Sequence, residues 1–413
     1  MGRDFAMNAL GLFLGGVVVA TAMTATPFAD TAEAPPPTPK QALTLERSDL
    51  LPITKFYDTP SDLSSSKPGD LLRSEKFSDY ILPPGATAVR ILYRSLDAEG
   101  RPVATSGVVL IPAGKAPAEG WPIIAWAHGT SGVARQCAPS AMKDVYYGDE
   151  GLDLMLKAGF AVVATDYHGL GTEGPHQYVN KTAQAYDVIY SIPAARAAVP
   201  ALGKRWVVDG HSQGGLAAWG VAEMEFQIRD PSFLAAISVA GATHLQGLLT
   251  DLANAKSAGF YLPFIAFGVA ARFSDFKPES MLSSLAMKNY QNVARKGCWL
   301  YAFANYAGDP PGSMVKPGWT ELPAVKSFVA ESLTTEKPVA GPILVIAGEA
   351  DQSVAISGVR ATVAAACRKN MNVTFRSYRG LDHDPTMTNS TPEQLAWIHE
   401  RFEGKPAKGN CSR

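Results

Sequence analysis

The chain has 413 residues and a formal net charge of −1, from 37 basic and 38 acidic residues. The charges are dispersed, without a long block of one sign, which argues against nucleic acid or a strongly charged macromolecule as a partner. No apolar run along the chain reaches the about 20 residues that a membrane-spanning helix needs.

Residues 1–34 are predicted to be a secretory signal peptide. The apolar run 9–20 follows Arg3 and is too short for a comfortable membrane span. Small residues follow it, and several positions within about 22–34 satisfy the small-x-small cleavage rule, so the cleavage site stays open. An uncleaved membrane anchor is the alternative. The pattern favours an exported protein, extracellular or periplasmic.

Residues 35–50 begin with a proline-rich stretch, Pro35-Pro36-Pro37-Thr38-Pro39. Proline fixes its backbone in extended conformations and cannot donate a backbone hydrogen bond. This segment is therefore predicted to be an extended, exposed leader outside the core.

Four cysteines are present, and in an exported protein an even number predicts two disulfides. They are Cys137, Cys298, Cys367 and Cys411. Three pairings are possible, and we prefer Cys137 with Cys298 and Cys367 with Cys411, because the second bridge would fasten the C-terminal tail to the last helical layer. Free buried thiols are the alternative. No pair has the C-x-x-C spacing of zinc or thioredoxin-like sites.

Apolar runs alternate with helical patterns along the chain, which predicts βαβ units and a mostly parallel central sheet flanked by helices. Two early segments, 87–93 and 103–110, are predicted to pair antiparallel. Continuous apolar runs then predict strands buried on both faces. These runs cover 122–127, 160–165, 204–209, 233–240, 342–347 and 372–378. Helices are expected around 152–156, 183–198, 216–222 and 393–402.

The loop after the strand 122–127 has the sequence His128-Gly129-Thr130-Ser131-Gly132. In one class of enzymes built on a mostly parallel sheet, the loop after the third strand supplies one N–H donor to the oxygen that becomes negatively charged in the reaction, a site called the oxyanion hole. Gly129 allows the backbone to turn toward a substrate, so the Thr130 N–H is the predicted donor. An ordinary glycine-rich loop is the alternative.

Gly210-His211-Ser212-Gln213-Gly214 fits G-x-S-x-G, the nucleophile elbow of α/β-hydrolases. A buried strand precedes it and a helix of small residues follows. A serine on such a tight turn has strained backbone angles, and larger neighbours would collide with the strand or helix. The motif predicts Ser212 as nucleophile and the Gln213 N–H, at a helix N-terminus, as the other oxyanion donor.

About a hundred residues, 241–338, interrupt the alternation between the elbow and the next predicted strand. Material inserted there lies above the active site of this fold, so the segment is interpreted as a cap. Its aromatic residues suit a wall against an apolar substrate: Phe260, Tyr261, Phe264, Phe267 and Phe273. An ordinary helical layer without substrate contact is the alternative. Residues 51–240 and 339–413 are assigned to the core.

A serine hydroxyl needs a base and an orienting acid, and this fold places them in the order Ser, Asp or Glu, His. Only His383 and His399 remain after any plausible acid. His383 lies in a loop after the last predicted strand, whereas His399 belongs to an amphipathic helix, so His383 is the predicted base. Asp351, in the loop after 342–347, is the predicted acid, with Glu349 second.

With these residues placed, the chain resembles the secretory lipase family of α/β-hydrolases, the group around the yeast lipase A. The resemblance covers about residues 51–406. The motifs that carry it are 126–132, 137–140, 166–171, 210–215, 351–354, His383 and the ending 397–407. It implies an exported serine ester hydrolase acting on acylglycerols or other lipophilic esters, with a helical cap between nucleophile and acid and a triad of Ser212, Asp351 and His383.

The predicted function is a carboxylic-ester hydrolase working through an acyl-enzyme, with no metal or organic cofactor needed. Its expected partners are lipid or small-molecule ester substrates, with transient contact to a lipid interface and no nucleic acid. Three alternatives stay open: an acyltransferase, an exported serine peptidase on the same fold, and a non-catalytic binding module.

Overall fold

The computed structural model describes residues 36–411. The predicted signal peptide, residues 1–34, lies outside the described residues. Within the described part of the chain, no helix is both long and apolar enough to cross a bilayer.

Nine strands within residues 36–411 form one sheet in the order β1-β2-β3-β5-β4-β6-β7-β8-β9. They are β1 (Leu71–Phe77), β2 (Thr87–Leu96), β3 (Pro102–Ile111), β4 (Trp121–Ala127), β5 (Ala161–Thr165), β6 (Leu202–His211), β7 (Phe233–Val239), β8 (Ile343–Gly348) and β9 (Val373–Tyr378). The pairs β1–β2, β2–β3 and β3–β5 are antiparallel. The remaining neighbours, β5–β4, β4–β6, β6–β7, β7–β8 and β8–β9, pair in parallel. The predicted antiparallel opening pair and the mostly parallel sheet are confirmed.

Helices cover both faces of the sheet, as the continuous apolar strands require. The helices are α1 (Pro39–Asp49), α2 (Asp153–Lys157), α3 (Lys181–Ala198), α4 (Gln213–Ile228), α5 (Leu245–Asn254), α6 (Tyr261–Arg272), α7 (Pro278–Met281), α8 (Ser284–Arg295), α9 (Trp299–Tyr306), α10 (Pro323–Glu331), α11 (Ile356–Arg368) and α12 (His383–Phe402). Side chains of a strand alternate between faces. Ile123 and Ala125 of β4 accordingly pack in the cluster that contains α3 and α4, and Ile124 and Trp126 pack in the cluster that contains α2 and α12.

The segment between β7 and β8 is helical and contains α5 to α10. It occupies the position predicted for the cap. Whether it acts as a separate lid stays a prediction, as do the proposed domain boundaries.

Both predicted disulfides are confirmed: Cys137 pairs with Cys298, and Cys367 pairs with Cys411. The first joins the loop after β4 to the residue before α9, and the second joins α11 to the C-terminal tail. The tail also runs along the edge strand β9, where the Asn410 N–H donates to the Val373 carbonyl at 3.0 Å. That contact covers unpaired backbone groups of an edge strand.

Four elements differ from the sequence interpretation, one of them being α11, which was not among the predicted helices. Residues 39–49 form α1 instead of continuing an extended leader, because Thr38 and Gln41 make a capping box and Pro39 occupies the first turn, where proline is tolerated. Strand β1 was not predicted. Helix α12 begins at His383, ten residues before the predicted start, because the Asp382 side chain caps its N-terminus.

Candidate active site

Ser212 lies on the turn between β6 and α4, as the elbow motif predicts. Its backbone angles are φ 57° and ψ −117°, in the positive-φ region that side-chain-bearing residues rarely occupy. The turn is fastened to the neighbouring strand, because the Ser212 N–H donates to the Val239 carbonyl at 2.9 Å. The surrounding fold thus holds a strained serine in place, which is common at functional sites.

The two glycines of the motif are required by close backbone approach. A Cβ on Gly214 would lie 1.8 Å from the carbonyl oxygen of Ala127, and one on Gly210 would lie 2.2 Å from that of Gly214. Both distances are far inside van der Waals contact. The strand, turn and helix can therefore meet this closely only with glycine at both positions.

Asp351 and His383 lie together, as predicted from chain order. The Nδ1 atom of His383 and Oδ2 of Asp351 are 2.8 Å apart. The other carboxylate oxygen of Asp351 accepts from the N–H groups of Ser353 and Val354, at 2.8 and 2.7 Å. Glu349, the second candidate acid, instead accepts a hydrogen bond from the Ser377 hydroxyl. The structure therefore brings Asp351, and not Glu349, to the imidazole.

The electrostatic surroundings favour a proton on His383 more than water does. Burial alone would lower its pKa, but the Asp351 carboxylate, by charge and by hydrogen bonding, followed by Asp384 and Asp382, raises it above the usual value of 6.5. The Nε2 atom of His383 is buried and has no hydrogen-bond partner within residues 36–411. It is therefore available to a group bound in the cavity.

The two predicted oxyanion donors flank the serine. Gln213 is the first residue of α4, and the first N–H groups of a helix have no intrahelical acceptor. The loop residue Thr130 lines the same cavity as Ser212. Two tyrosines hold Thr130 in place, since the Tyr146 hydroxyl donates to its carbonyl at 2.7 Å and the Tyr178 hydroxyl shares a hydrogen bond with its side-chain hydroxyl at 2.7 Å. The donor roles of Gln213 and Thr130 stay predictions.

Ser212 and His383 line a cavity of about 180 Å³. Its other lining residues are Thr130, Tyr146, Tyr147, Glu150, His211, Tyr261, Trp299 and Asp384. Tyr261 and Trp299 come from the segment predicted as the cap, and the Trp299 indole N–H donates to the Tyr261 hydroxyl at 3.0 Å. Of the five aromatic residues proposed as a cap wall, the cavity lining includes Tyr261, while Phe260 and Phe264 are buried in the core.

Several cavity residues were missed by the sequence reasoning. Tyr146, Tyr147 and Glu150 precede α2 in an irregular segment without a known motif. Burial, with the nearby charge of Asp384, raises the pKa of Glu150 to about 7. Asp384 was not among the predicted site residues, although its place directly after His383 was a usable signal. Asp382, on the other side of His383, caps the N-terminus of α12.

Contacts define the positions of two further residues, His211 and Asp166. His211 lies beside the elbow and shares a 2.8 Å hydrogen bond with the Tyr147 hydroxyl, but its ring also lines the cavity, 4.6 Å from that of His383. Burial, with the charge of His383, holds the pKa of His211 well below 6.5. Asp166 is fully buried and accepts from Ser106 and Ser140, so it has a structural position rather than a place in the pocket.

The strand order, the flanking helices and the strand–turn–helix elbow define an α/β-hydrolase. The solved structure of Candida antarctica lipase A in its closed state matches with a TM-score of 0.75 at 19% identity, over 88% of this chain and 89% of that one. The predicted fold class is thereby confirmed.

The sequence profile of the secretory lipase family matches residues 147–410, more than half of the chain. The chain therefore belongs to the secretory lipase family, is a carboxylic-ester hydrolase and is an exported protein. Lipase 10 of Candida albicans is 24% identical over 408 residues, covering 88% of this chain and 84% of that protein. A protein of Mycobacterium tuberculosis described as a probable inactive lipase is also 24% identical, covering 89% of this chain and 86% of its own length.

Proposed function

We propose that Ser212, His383 and Asp351 hydrolyse lipophilic carboxylic esters, acylglycerols among them, through an acyl-enzyme. The observation that carries this proposal is the 2.8 Å contact between Asp351 and Nδ1 of His383, which leaves Nε2 free in the cavity that Ser212 also lines. A base oriented by a carboxylate beside a strained serine is the arrangement that activates a hydroxyl nucleophile.

The reaction begins when Ser212 Oγ attacks the ester carbonyl carbon and His383 Nε2 takes the hydroxyl proton. The tetrahedral oxyanion accepts hydrogen bonds from the Gln213 and Thr130 N–H groups. His383 then gives its proton to the departing alkoxide, and the alcohol leaves. Water attacks the acyl-enzyme with His383 again as base, the Ser212 oxygen is protonated as it leaves, and the carboxylic acid is released. Asp351 fixes the imidazole tautomer and stabilises the imidazolium throughout.

The exported location is proposed to be extracellular or periplasmic. The two disulfides support an oxidising compartment, where such bonds form and persist.

The proposal is tested with p-nitrophenyl esters from acetate to palmitate, using the purified mature chain and its Ser212→Ala variant. We expect measurable hydrolysis by the unchanged protein and a loss of about 10⁴-fold or more in kcat for Ser212→Ala, the size found when one triad member is removed. Ser64→Ala, at an exposed serine, is the matched control and should leave kcat unchanged.

Each outcome has a distinct meaning. Hydrolysis that survives in Ser212→Ala would contradict the assignment of the nucleophile. A folded wild-type chain that cleaves no ester of the series would favour the alternative of a non-catalytic protein, as the name of the mycobacterial relative suggests for that protein.

A further inference from the structure

Two histidines and a carboxylate in the cavity are close enough to share a metal ion. One ligand atom from each of His211, His383 and Asp384 lies within 4.8 Å of the other two. All three side chains line the cavity beside Ser212. In both histidines Nε2 is buried and, in the part of the chain that the structure describes, has no hydrogen-bond partner.

The other nitrogen of each ring is already held. Nδ1 of His383 contacts the Asp351 carboxylate at 2.8 Å, and Nδ1 of His211 contacts the Tyr147 hydroxyl at 2.8 Å. Metal-binding histidines usually have such a partner on the second nitrogen, because it fixes the ring and leaves the first lone pair aimed at the ion. Both imidazoles thus have the surroundings of ligands, independently of the neighbouring carboxylate.

We propose that His211, His383 and Asp384 form a binding site for a borderline-soft divalent cation of the Zn²⁺ type, and that the bound ion inhibits the enzyme. Two imidazoles and one carboxylate with an open fourth position suit Zn²⁺. Mg²⁺ and Ca²⁺ prefer sets of oxygen ligands.

The three ligand atoms lie within 4.8 Å of one another, so a bound ion draws them closer together. Ligands placed 2.0–2.1 Å from a tetrahedral ion lie about 3.4 Å from one another. The two histidines are fixed, but Asp384 is exposed in the first turn of α12 and has no hydrogen-bond or ion-pair partner for its carboxylate among the described residues. Asp384 is therefore the ligand with the most freedom to approach an ion held by the two imidazoles.

Inhibition follows from which atom the ion occupies. Nε2 of His383 is the lone pair that accepts the Ser212 proton in the proposed mechanism, and a coordinated nitrogen cannot accept a proton. The inhibitory effect therefore rests on the proposed function, whereas binding of the ion does not.

The site is tested by titrating chelator-free mature chain with ZnCl₂. Isothermal titration calorimetry measures binding, and hydrolysis of p-nitrophenyl butyrate measures inhibition. We expect one Zn²⁺ per chain at this site, loss of hydrolysis as the site fills, full recovery with EDTA, and no comparable effect of MgCl₂. Ser212→Ala should bind Zn²⁺ like the unchanged chain while lacking activity.

Three variants separate ligation from general attraction. Asp384→Asn and His211→Phe each remove one ligand, and each should weaken Zn²⁺ binding about tenfold or more, since even losing an outer partner of a ligand costs 10–100-fold. Asp149→Asn, at an exposed acid two residues after Tyr147, removes the same charge without removing a ligand and should leave the affinity unchanged. Thermal melting verifies that each variant is folded.

Three results would overturn the proposal: no Zn²⁺ binding, binding that survives both ligand substitutions, or an equal loss in Asp149→Asn. Zn²⁺ binding that depends on Asp384 and His211, in a chain that cleaves no ester, would uphold the ion site and contradict the proposed function instead.

Discussion

Asp384, directly after the proposed base, acts on the proton affinity of His383 without touching the reacting atoms. Its carboxylate is one of the charges that raise the pKa of His383 above 6.5, after that of Asp351 and before that of Asp382. A raised pKa keeps the imidazole protonated to higher pH, and in the proposed mechanism a protonated His383 cannot take the Ser212 proton. We therefore expect Asp384 to help set the pH at which activity appears.

Replacing Asp384 with asparagine should shift the acidic limb of the pH–kcat/KM profile to lower pH. Below the pKa of His383 the base is protonated and activity is lost. With one stabilising negative charge removed, the pKa falls and activity persists to lower pH. The profile is measured with a chelator present, and Asp149→Asn is the control for a general change in charge. An unshifted limb, or a shift to higher pH, would contradict the assignment.

Asp209, three residues before the proposed nucleophile Ser212, makes the stability of the fold depend on pH. It is fully buried in β6, neither carboxylate oxygen has a hydrogen-bond partner within residues 36–411, and burial raises its pKa to about 8. In an unfolded chain an aspartate has a pKa of about 3.9. The folded state therefore binds the extra proton between about pH 4 and pH 8, so the free energy of unfolding falls as pH rises through that window.

The variant Asp209→Asn should lose this pH dependence. At each pH, the free energy of unfolding of the unchanged chain is subtracted from that of the variant. We expect this difference to be larger at pH 8.5 than at pH 5 by at least about 1.4 kcal/mol, which corresponds to one pKa unit. Guanidinium unfolding at both pH values measures it. Equal differences at the two pH values would show that Asp209 is ionised in the folded protein.

At the scale of elements, the two disulfides connect different parts of the molecule. Cys367–Cys411 fastens the tail to α11 and spans 44 residues, whereas Cys137–Cys298 spans 161 residues and ends next to Trp299, a cavity residue. The backbone N–H of Trp299 also donates to the carbonyl of Ser131 at 2.9 Å, and Ser131 lies in the same loop as Thr130. Of the two bridges, Cys137–Cys298 is therefore the one that connects α9 to the loop after β4, which contains Thr130.

Removing each bridge by a pair of Cys→Ala substitutions should separate stability from activity. Loss of Cys367–Cys411 removes a loop-closure contribution of up to about 4 kcal/mol and should lower Tm with kcat/KM unchanged at 25 °C. Loss of Cys137–Cys298 should lower Tm and also raise KM, because α9 is then free to move away from the loop. Differential scanning calorimetry and ester kinetics give both values. A raised KM in the tail variant would contradict this division.

The elements that the sequence predicted well are those with strong periodicity or a motif. The parallel strands were visible as apolar runs, and the elbow was visible because only glycine permits its backbone contacts. Strand β1 was missed because it alternates weakly, with exposed Arg73 and Ser74 near its centre. The start of α12 was missed because Pro385 and Pro392 suggest a break, although Pro385 lies in the first turn, where a backbone donor is not needed.

The site was predictable to the extent that chain order fixes it. Ser212, Asp351 and His383 each follow a strand, and parallel strands end at one edge of the sheet, so their meeting follows from topology. Tyr146, Tyr147 and Glu150 reach the cavity from an irregular segment, and Trp299 reaches it from α9. A local sequence pattern cannot predict such contacts, because they depend on how segments that are distant in the chain pack together.

At the scale of the whole molecule, the α5–α10 segment supplies part of the wall of the cavity beside Ser212. The cavity volume of about 180 Å³ is below the roughly 300–1,000 Å³ usual for ligand pockets. Tyr261 and Trp299 form part of its wall, and both come from that segment. In this arrangement we expect a preference for short acyl chains over long ones.

Trp299→Ala should extend the preference toward longer esters. Trp299 is half-buried, so its removal enlarges the cavity without emptying the core. Each further methylene buried adds about 0.8 kcal/mol, so two should raise the ratio of kcat/KM for octanoate over that for acetate about tenfold. Trp397→Ala, the same change on α12 outside the cavity lining, is the control and should leave the ratio unchanged. If the ratio stays constant in Trp299→Ala, the acyl chain does not lie against this wall, and the α5–α10 segment limits chain length by some other contact.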